Sequence, residues 1–262
     1  MSETRESRLK GIGAPKKHNG KAIVAFLDIL GFSEKIKKHW DLPEQEPLKC
    51  ILRLKKKTNN RPQSVSQTYD LSRAGESYSC RVQALSDHFI VSCAFQNEND
   101  DHAIFWSIVC LIENCHNIWA NAINNGYTLR GGIEYGAIYW DKSDIIGPAL
   151  IDAYNLENKI ARTSRVIIGS NLNSMLKDLL NRYKELNSRK ALLQLFVRDT
   201  DGYIILDPSE LQINNVRVEN VCALRDKATQ TEHKYKYTGM ITYMEQDLCS
   251  KKGINLTDFG GY

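Results

Sequence analysis

Residues 24–33 read "VAFLDILGFS", an apolar run interrupted by one acidic residue. Residues 24–27 are of the type found in a buried strand, whereas Gly31 and Ser33 are typical of a turn that opens a helix. Asp28 stands between the two, where an unpaired buried carboxylate is strongly destabilising. A strand end beside a helix N-terminus can bind a cation and an anion together. Asp28 therefore either belongs to such a site or merely caps the helix.

The composition is that of an ordinary globular protein. The 262 residues are 42% hydrophobic and 25% charged, with a formal net charge of +4. This length predicts one large domain with an ample core. The mild charge is compatible with an anionic small ligand, and nothing in it indicates a nucleic-acid partner.

Cysteine usage indicates the compartment. None of the seven cysteines belongs to a C-x-x-C pair, and four lie in apolar segments, as free buried thiols do. These four are Cys80, Cys93, Cys110 and Cys115. The pattern predicts a reducing cytoplasm and argues against a disulfide or zinc scaffold.

No targeting segment or membrane span is predicted. Residues 1–20 are polar and charged, so we expect a disordered basic arm and no signal peptide. The most apolar segment, 103–123, contains Glu113 and His116. It predicts a largely buried helix rather than a membrane span.

Apolar patterning and turn signals predict alternating strands and helices. The predicted order is a strand at 21–28, a helical region to about residue 57, a loop at 58–77, a hairpin at 78–95, a helix at 100–124, a strand at 127–140, a helix at 148–161, a strand at 165–169, a helix capped by Ser170 and a hairpin at 193–208. This order predicts an α/β sandwich with a mostly antiparallel sheet. Asp28 would then lie next to Asp87, at the tip of the first hairpin.

Two neighbouring carboxylates repel each other unless a divalent cation lies between them. Oxygen ligands of this kind suit Mg²⁺ or Mn²⁺, which can also coordinate the oxygens of a phosphate substrate. Backbone N–H groups of the turn at 29–33 would bind that phosphate. The combination suits metal-assisted phosphoryl or nucleotidyl chemistry. Acids near strand ends are common, however, and Asp28 and Asp87 could also be unrelated.

Four segments resemble, in the same order, the catalytic domain of the class III nucleotidyl cyclases. They are "FLDILGFS" (26–33), "ALSDHFIVSCAF" (84–95), "LRGGIEYG" (129–136) and "DIIGPALIDAYNLE" (144–157). The resemblance covers about residues 21–170 and implies a ferredoxin-like fold and a homodimer with active sites at its interface. We therefore expect a catalytic domain at 21–240, followed by a C-terminal tail at 241–262.

The resemblance also implies roles for individual residues. Asp28 and Asp87 would hold two Mn²⁺ or Mg²⁺ ions, with the carbonyl of Ile29 as a further ligand. One ion lowers the pKa of the ribose 3′-hydroxyl, and the other neutralises the triphosphate. Arg130 is a candidate phosphate contact, and the alternative is a simple cation at the sheet edge. The residues whose backbone N–H groups would bind phosphate are Leu30, Gly31, Phe32 and Ser33.

Two positions would read the base. In adenylyl cyclases a lysine three residues before the hairpin glycine reads adenine, and Gln83 stands there in this chain, with Ser86 in place of the glycine. Asp144 matches the acid that is paired with that lysine. An amide can both donate and accept hydrogen bonds, as a uracil or cytosine edge requires.

The usual transition-state residues are missing. The asparagine and arginine of the family fall on Ile151 and Asn155, and neither can stabilise the transition state. Arg165 or Arg162 could supply positive charge near the α-phosphate, or either could lie at a solvated helix end.

The chain looks most similar to the pyrimidine cyclases of bacterial antiphage (Pycsar) systems, which make cyclic UMP or cyclic CMP to activate a separate effector. We therefore expect UTP as the substrate, with CTP as the alternative. A non-catalytic nucleotide-binding protein and an ordinary purine cyclase are further alternatives. His88 and His116 are predicted to be packing residues, because neither has a metal-ligand neighbour.

Overall fold

The structure, a computed structural model, describes residues 17–44, 46–60, 78–141, 143–183, 185–228, 231–245, 254 and 259. The predicted arm at 1–20, the loop at 58–77 and the tail at 241–262 lie largely outside the described residues. Within them, no helix combines the length and the apolar character that crossing a membrane requires.

One sheet runs through the described part of the chain. Its order is β2-β3-β1-β4-β6-β8-β7, and β5 pairs with β4 outside that path. Every pair is antiparallel except β4 with β6, so the predicted mostly antiparallel sheet is confirmed. The strands are β1 (His18–Leu30), β2 (Tyr78–Leu85), β3 (His88–Phe95), β4 (Thr128–Trp140), β5 (Ile145–Ile146), β6 (Val166–Ile168), β7 (Phe196–Arg198) and β8 (Ile204–Leu206).

Helices flank this sheet, as the α/β prediction requires. A π-helical turn (Leu156–Ile160) continues the α-helix Pro148–Asn155, and a 3-10 helix (Pro208–Asn214) follows β8. The α-helices are α1 (Phe32–His39), α2 (Glu46–Asn60), α3 (Asp101–Asn124), α4 (Pro148–Asn155), α5 (Ser170–Arg182), α6 (Leu186–Gln194), α7 (Val218–Lys227) and α8 (Thr231–Glu245).

Strand β1 is buried on both faces, which explains why residues 22–27 are apolar without alternation. Ala22 and Val24 pack in one cluster with Ala149 of α4. Because side chains alternate along a strand, Asp28 lies on this α4 face, at the C-terminal end of β1. The β1 residues on the opposite face, in the main core with α3, are Ile23, Ala25, Leu27 and Ile29.

Several predicted boundaries differ from the structure. Strand β1 is longer than 21–28, because its ladder with β4 continues to the pair of Leu30 with Thr128. The single helical region predicted up to residue 57 is two helices, α1 and α2. The helix predicted at 148–161 ends as an α-helix at Asn155 and continues as the π-helical turn.

Helix α5 is not capped by Ser170. Its N-cap residue is Gly169, whose position provides no side-chain cap. Glu134 of β4 takes over this function, since its Oε1 accepts the backbone N–H of Leu172 at 2.8 Å. The cap therefore comes from a distant strand rather than from the helix's own first residues.

Candidate functional site

Asp28, at the C-terminal end of β1, and Asp87, in the turn before β3, come together as predicted. Strand β1 pairs with β3 so that Asp28 lies opposite His88, and the backbone N–H of Ile29 donates to the carbonyl of Asp87 at 3.3 Å. Ligand atoms of the two carboxylates and of the His88 ring all lie within 4.8 Å of one another. The turn between β2 and β3 includes Ser86 at φ 52°, a left-handed conformation that favours glycine.

Helix α1 begins beside this pair. Its N-cap residue is Gly31, at φ 75° and ψ 9°, and no side chain caps the helix. The alternative that Asp28 merely caps the helix is therefore wrong. The hydroxyl of Ser33 donates to Oδ2 of Asp87 at 3.5 Å, while buried Phe32 packs on the ring of Tyr127. The start of α1 thus lies against the carboxylates. The N–H groups that the sequence analysis expects to bind phosphate belong to this same turn.

His88 was wrongly predicted to lack metal-ligand neighbours. Its Nε2 lies 3.3 Å from Oδ1 of Asp28, and its Nδ1 lies 3.4 Å from Oδ1 of Asp87. The contact with Asp87 involves the residue next to His88 in the chain and was overlooked, whereas the contact with Asp28 depends on the β1–β3 register. His116 is buried, as predicted, and burial lowers its pKa to about 4.

Arg130 lies on the other side of Asp28. Its Nε donates to Oδ2 of Asp28 at 3.1 Å. Oε1 of Glu157 lies 2.6 Å from the same nitrogen. The interpretation as an isolated cation at the sheet edge therefore fails, because Arg130 is held between two carboxylates.

Glu157 is a third acid of the site that the sequence analysis did not assign. It is 2% exposed. Burial raises its pKa to about 7, and the negative charges of Asp28 and Asp87 add to this effect against the opposing Arg130 charge. No sequence signal identifies it, because Glu157 is followed by the polar residues Asn158 and Lys159, and its π-helical turn, a feature frequent at functional sites, is visible only in the structure.

The glycines of "LRGGIEYG" explain how Glu157 reaches Arg130. A Cβ atom added to Gly132 would collide with Leu156 and with the carbonyl of Ala153. Only glycine lets the end of α4 and the π-helical turn approach β4 this closely. Gly132 thus permits the packing that assembles the site.

The predicted base-reading residues lie on the same side of the sheet as Asp28. Gln83 pairs with Ile90 across β2 and β3, and its Oε1 accepts from Nη2 of Arg81 at 2.9 Å. Ile90 belongs to the same buried cluster as Trp140 and Ile145, which flank the turn that carries Asp144.

That turn is close enough to β2 for its charges to interact. The N–H groups of Asp144 and Ser143 lower the pKa of Asp141, and the positive charge of Arg81 contributes to the same shift. Asp144 itself is exposed. The structure therefore places the turn that carries Asp144 near Arg81, which holds the Gln83 side chain.

Arg165 is engaged by acids other than Asp28 and Asp87. Its Nη1 forms ion pairs with Asp199 at 2.6 Å and Asp201 at 2.7 Å, and its Nη2 donates to the carbonyl of Ile160. Its charge is thus already neutralised by the β7–β8 hairpin. Arg162 is exposed beside it.

Comparison with known proteins yields structural neighbours alone. No family profile matches the chain, and no curated protein is significantly similar to it. A class III adenylyl cyclase-like ATP-binding protein from Pseudomonas aeruginosa is 12% identical, with a TM-score of 0.42, over 68% of this chain and 41% of that protein. A bacterial light-regulated adenylyl cyclase is 15% identical, with a TM-score of 0.40, over 72% and 51%. The chain spans about half or less of these proteins, and similarity at this level assigns no activity.

Proposed function

We propose that this chain is a nucleotidyl cyclase that converts a nucleoside triphosphate to its 3′,5′-cyclic monophosphate and pyrophosphate. The observation that carries the proposal is the convergence of Asp28 and Asp87, whose ligand atoms lie within 4.8 Å of each other. The order of the four sequence segments that resemble class III cyclases supports the same activity.

The residues present suit a divalent metal. Asp28 offers hard carboxylate oxygens from the end of β1, and Asp87 offers them from the turn before β3. The carbonyl of Ile29, the residue after Asp28, would be a further ligand. Mn²⁺ and Mg²⁺ prefer such ligands. When bound, the ions would activate the ribose 3′-hydroxyl and neutralise phosphate charge. Arg130 orients Asp28 through its Nε hydrogen bond.

Phosphate would bind at the start of α1. Gly31 turns the chain there in a left-handed conformation, and no side chain competes for the first N–H groups of the helix. The positive end of the helix dipole favours an anion at this position. A triphosphate bound there would lie directly beside Asp87, because Ser33 in the first turn of α1 donates a hydrogen bond to that carboxylate.

We assign the base specificity to uracil. Because Oε1 of Gln83 already accepts from Arg81, its amide N–H₂ group remains to donate, while Asp144 can accept. The pair matches the O4 acceptor and the N3–H donor of uracil. It also matches N3 and N4–H₂ of cytosine, so cyclic CMP is the second product to measure. The sequence resemblance to antiphage cyclases suggests that the product activates a separate effector.

The homodimer is part of the same proposal. Large apolar side chains are exposed on the α4 side of the sheet: Leu85 at 61% and Ile151 of α4 at 59%. Exposed apolar surface of this kind is typical of protein interfaces. A second copy of the chain that covers this surface would place base-reading residues of one protomer near the carboxylates of the other.

One observation favours a non-catalytic nucleotide-binding protein instead. Ile151, at the position of the family's asparagine, is exposed on α4 and offers no hydrogen bond to a phosphate. Arg165, the candidate substitute cation, is engaged by Asp199 and Asp201. This alternative predicts nucleotide binding without product.

The deciding experiment is incubation of the purified full chain with equal concentrations of the four nucleoside triphosphates and Mn²⁺. Chromatography of the products should show mainly cyclic UMP and pyrophosphate. A Gln83→Lys variant should lose the preference for UTP by about tenfold to a hundredfold. Predominant cyclic AMP or cyclic GMP from the unmodified chain would refute the pyrimidine assignment. Nucleotide binding without any cyclic product would refute catalysis.

A further inference from the structure

Three buried thiols converge on the opposite face of the sheet from Asp28. Cys80 of β2 and Cys93 of β3 are directly paired across the hairpin, and Cys110 of α3 covers them. The three Sγ atoms all lie within 4.8 Å of one another. All three residues are buried in the main core.

This spacing suits a shared metal ion. A metal–thiolate bond of about 2.3 Å places the sulfur atoms of a three-ligand site about 4 Å apart. The observed limit of 4.8 Å therefore requires only a small contraction. The thiols come from three elements that are already packed together, so little chain ordering is needed to form the site.

A polar side chain lies against the cluster. The amide nitrogen of Asn114 lies 3.6 Å from Sγ of Cys110 and 3.8 Å from Sγ of Cys80, as a hydrogen-bond donor. The thiols release their protons when they bind a metal ion, and the Asn114 amide can donate to the negative charge that then remains on sulfur inside the apolar core.

We propose that Cys80, Cys93 and Cys110 form a buried binding site for one soft monovalent metal ion of the Cu(I) type. Sulfur ligands select soft ions. Structural zinc sites almost always have four ligands, whereas among the described residues this group of His, Cys, Asp and Glu ligands has three members. The site is separate from the carboxylate pair and does not depend on the proposed cyclase activity.

The three cysteines connect the β2–β3 hairpin to helix α3. Cys80 and Cys93 lie in the hairpin that carries Asp87 at its tip, and Cys110 lies in the central helix α3. A bound ion would tie this hairpin to α3 and raise the stability of both. Thermal unfolding should therefore occur at a higher temperature in the presence of the ion.

The test is anaerobic titration of the reduced full chain with Cu(I) against a chromogenic Cu(I) chelator. We expect one equivalent to be retained and X-ray absorption to count three sulfur ligands. Retention of no copper, or fewer than three sulfur ligands, would overturn the proposal. A Cys80–Cys93 disulfide in the isolated chain, detected by mass spectrometry under non-reducing conditions, would also overturn it.

Matched variants identify the ligands. Cys93→Ala and Cys110→Ala should each weaken Cu(I) binding by more than the roughly 10–100-fold that loss of an outer-shell partner costs. Cys115→Ala is the control, because Cys115 is equally buried in α3 but lies outside the group of three. Equal losses in all three variants would contradict the assignment. If a ligand variant does not fold, the sulfur count on the unmodified chain decides.

Discussion

Arg130 lies directly opposite Asp28 in the β1–β4 ladder, and its Nε donates to Oδ2 of Asp28 at 3.1 Å. The same nitrogen contacts buried Glu157 at 2.6 Å. One cation therefore stands between two acids, one of which belongs to the metal-binding pair proposed above. This relationship links the first strand, the fourth strand and the π-helical turn into one charged unit.

Loss of the Arg130 charge should destabilise the fold. In Arg130→Met the carboxylates of Asp28 and Glu157 lose their partner, and we expect the free energy of unfolding to fall by about 3 kcal/mol. The double variant Arg130→Met/Glu157→Gln should regain part of that loss, because the buried acid is gone. Urea unfolding measures both changes. Additive losses would show that the two residues do not interact.

Glu157 should make stability depend on pH. Its carboxyl, with a pKa raised to about 7 from 4.5, holds a proton in the folded protein that the unfolded chain releases at lower pH. The free energy of unfolding should therefore fall between about pH 4.5 and pH 7, by up to about 3 kcal/mol, and level off above that range. Urea unfolding of the chelator-treated protein tests this.

Glu157→Gln should flatten that pH dependence, since the amide does not titrate. Glu219→Gln is the matched control, because Glu219 is exposed on α7. If the free energy of unfolding changed with pH equally in the unmodified chain and in Glu157→Gln, Glu157 would not titrate in this range.

The carboxylate pair should be essential for cyclisation but not for folding. Asp28→Asn and Asp87→Asn each replace a hard anionic ligand with an isosteric amide, so turnover should fall by at least about a hundredfold. Cyclic nucleotide production and thermal unfolding should be measured together. Asp178→Asn, on the exposed side of α5, should retain full activity. Near-normal turnover in either site variant would contradict the two-metal assignment.

Two left-handed residues shape the site and should respond in opposite ways. Gly31→Ala places a Cβ atom at φ 75° and should cost about 1 kcal/mol, whereas Ser86→Gly at φ 52° should stabilise the fold by a similar amount. Gly239→Ala in α8 controls for the glycine substitution, since nothing lies within 4 Å of the added atom. A stabilising Gly31→Ala would argue against a required left-handed turn.

The active sites should be shared between two protomers. Asp28→Asn and Asp144→Asn should each be inactive alone, and mixing them should restore part of the activity, because one of the two active sites in the mixed dimer retains both intact halves. Dilution should lower the specific activity of the unmodified chain. Full activity in a strictly monomeric protein, as judged by sedimentation, would exclude a shared site.

Local sequence patterns were sufficient to predict much of the fold. The continuous apolar run of β1 predicted a buried strand, and the acid after it marked the strand end at which Asp28 lies. The hairpin with Asp87 at its tip and the long helix α3 were also predicted, because period and turn chemistry are properties of neighbouring residues. The proximity of Asp28 and Asp87 followed from the order of these elements.

Tertiary structure alone decided which distant side chains meet. His88 faces Asp28 through strand register, Glu157 reaches Arg130 because Gly132 admits the end of α4, and the charge of Arg165 is neutralised by a hairpin more than thirty residues away. The convergence of three thiols from β2, β3 and α3 likewise depends on how the helix packs on the sheet. None of these contacts leaves a periodic signal in the sequence, because each arises from packing between elements rather than from the order of residues within one.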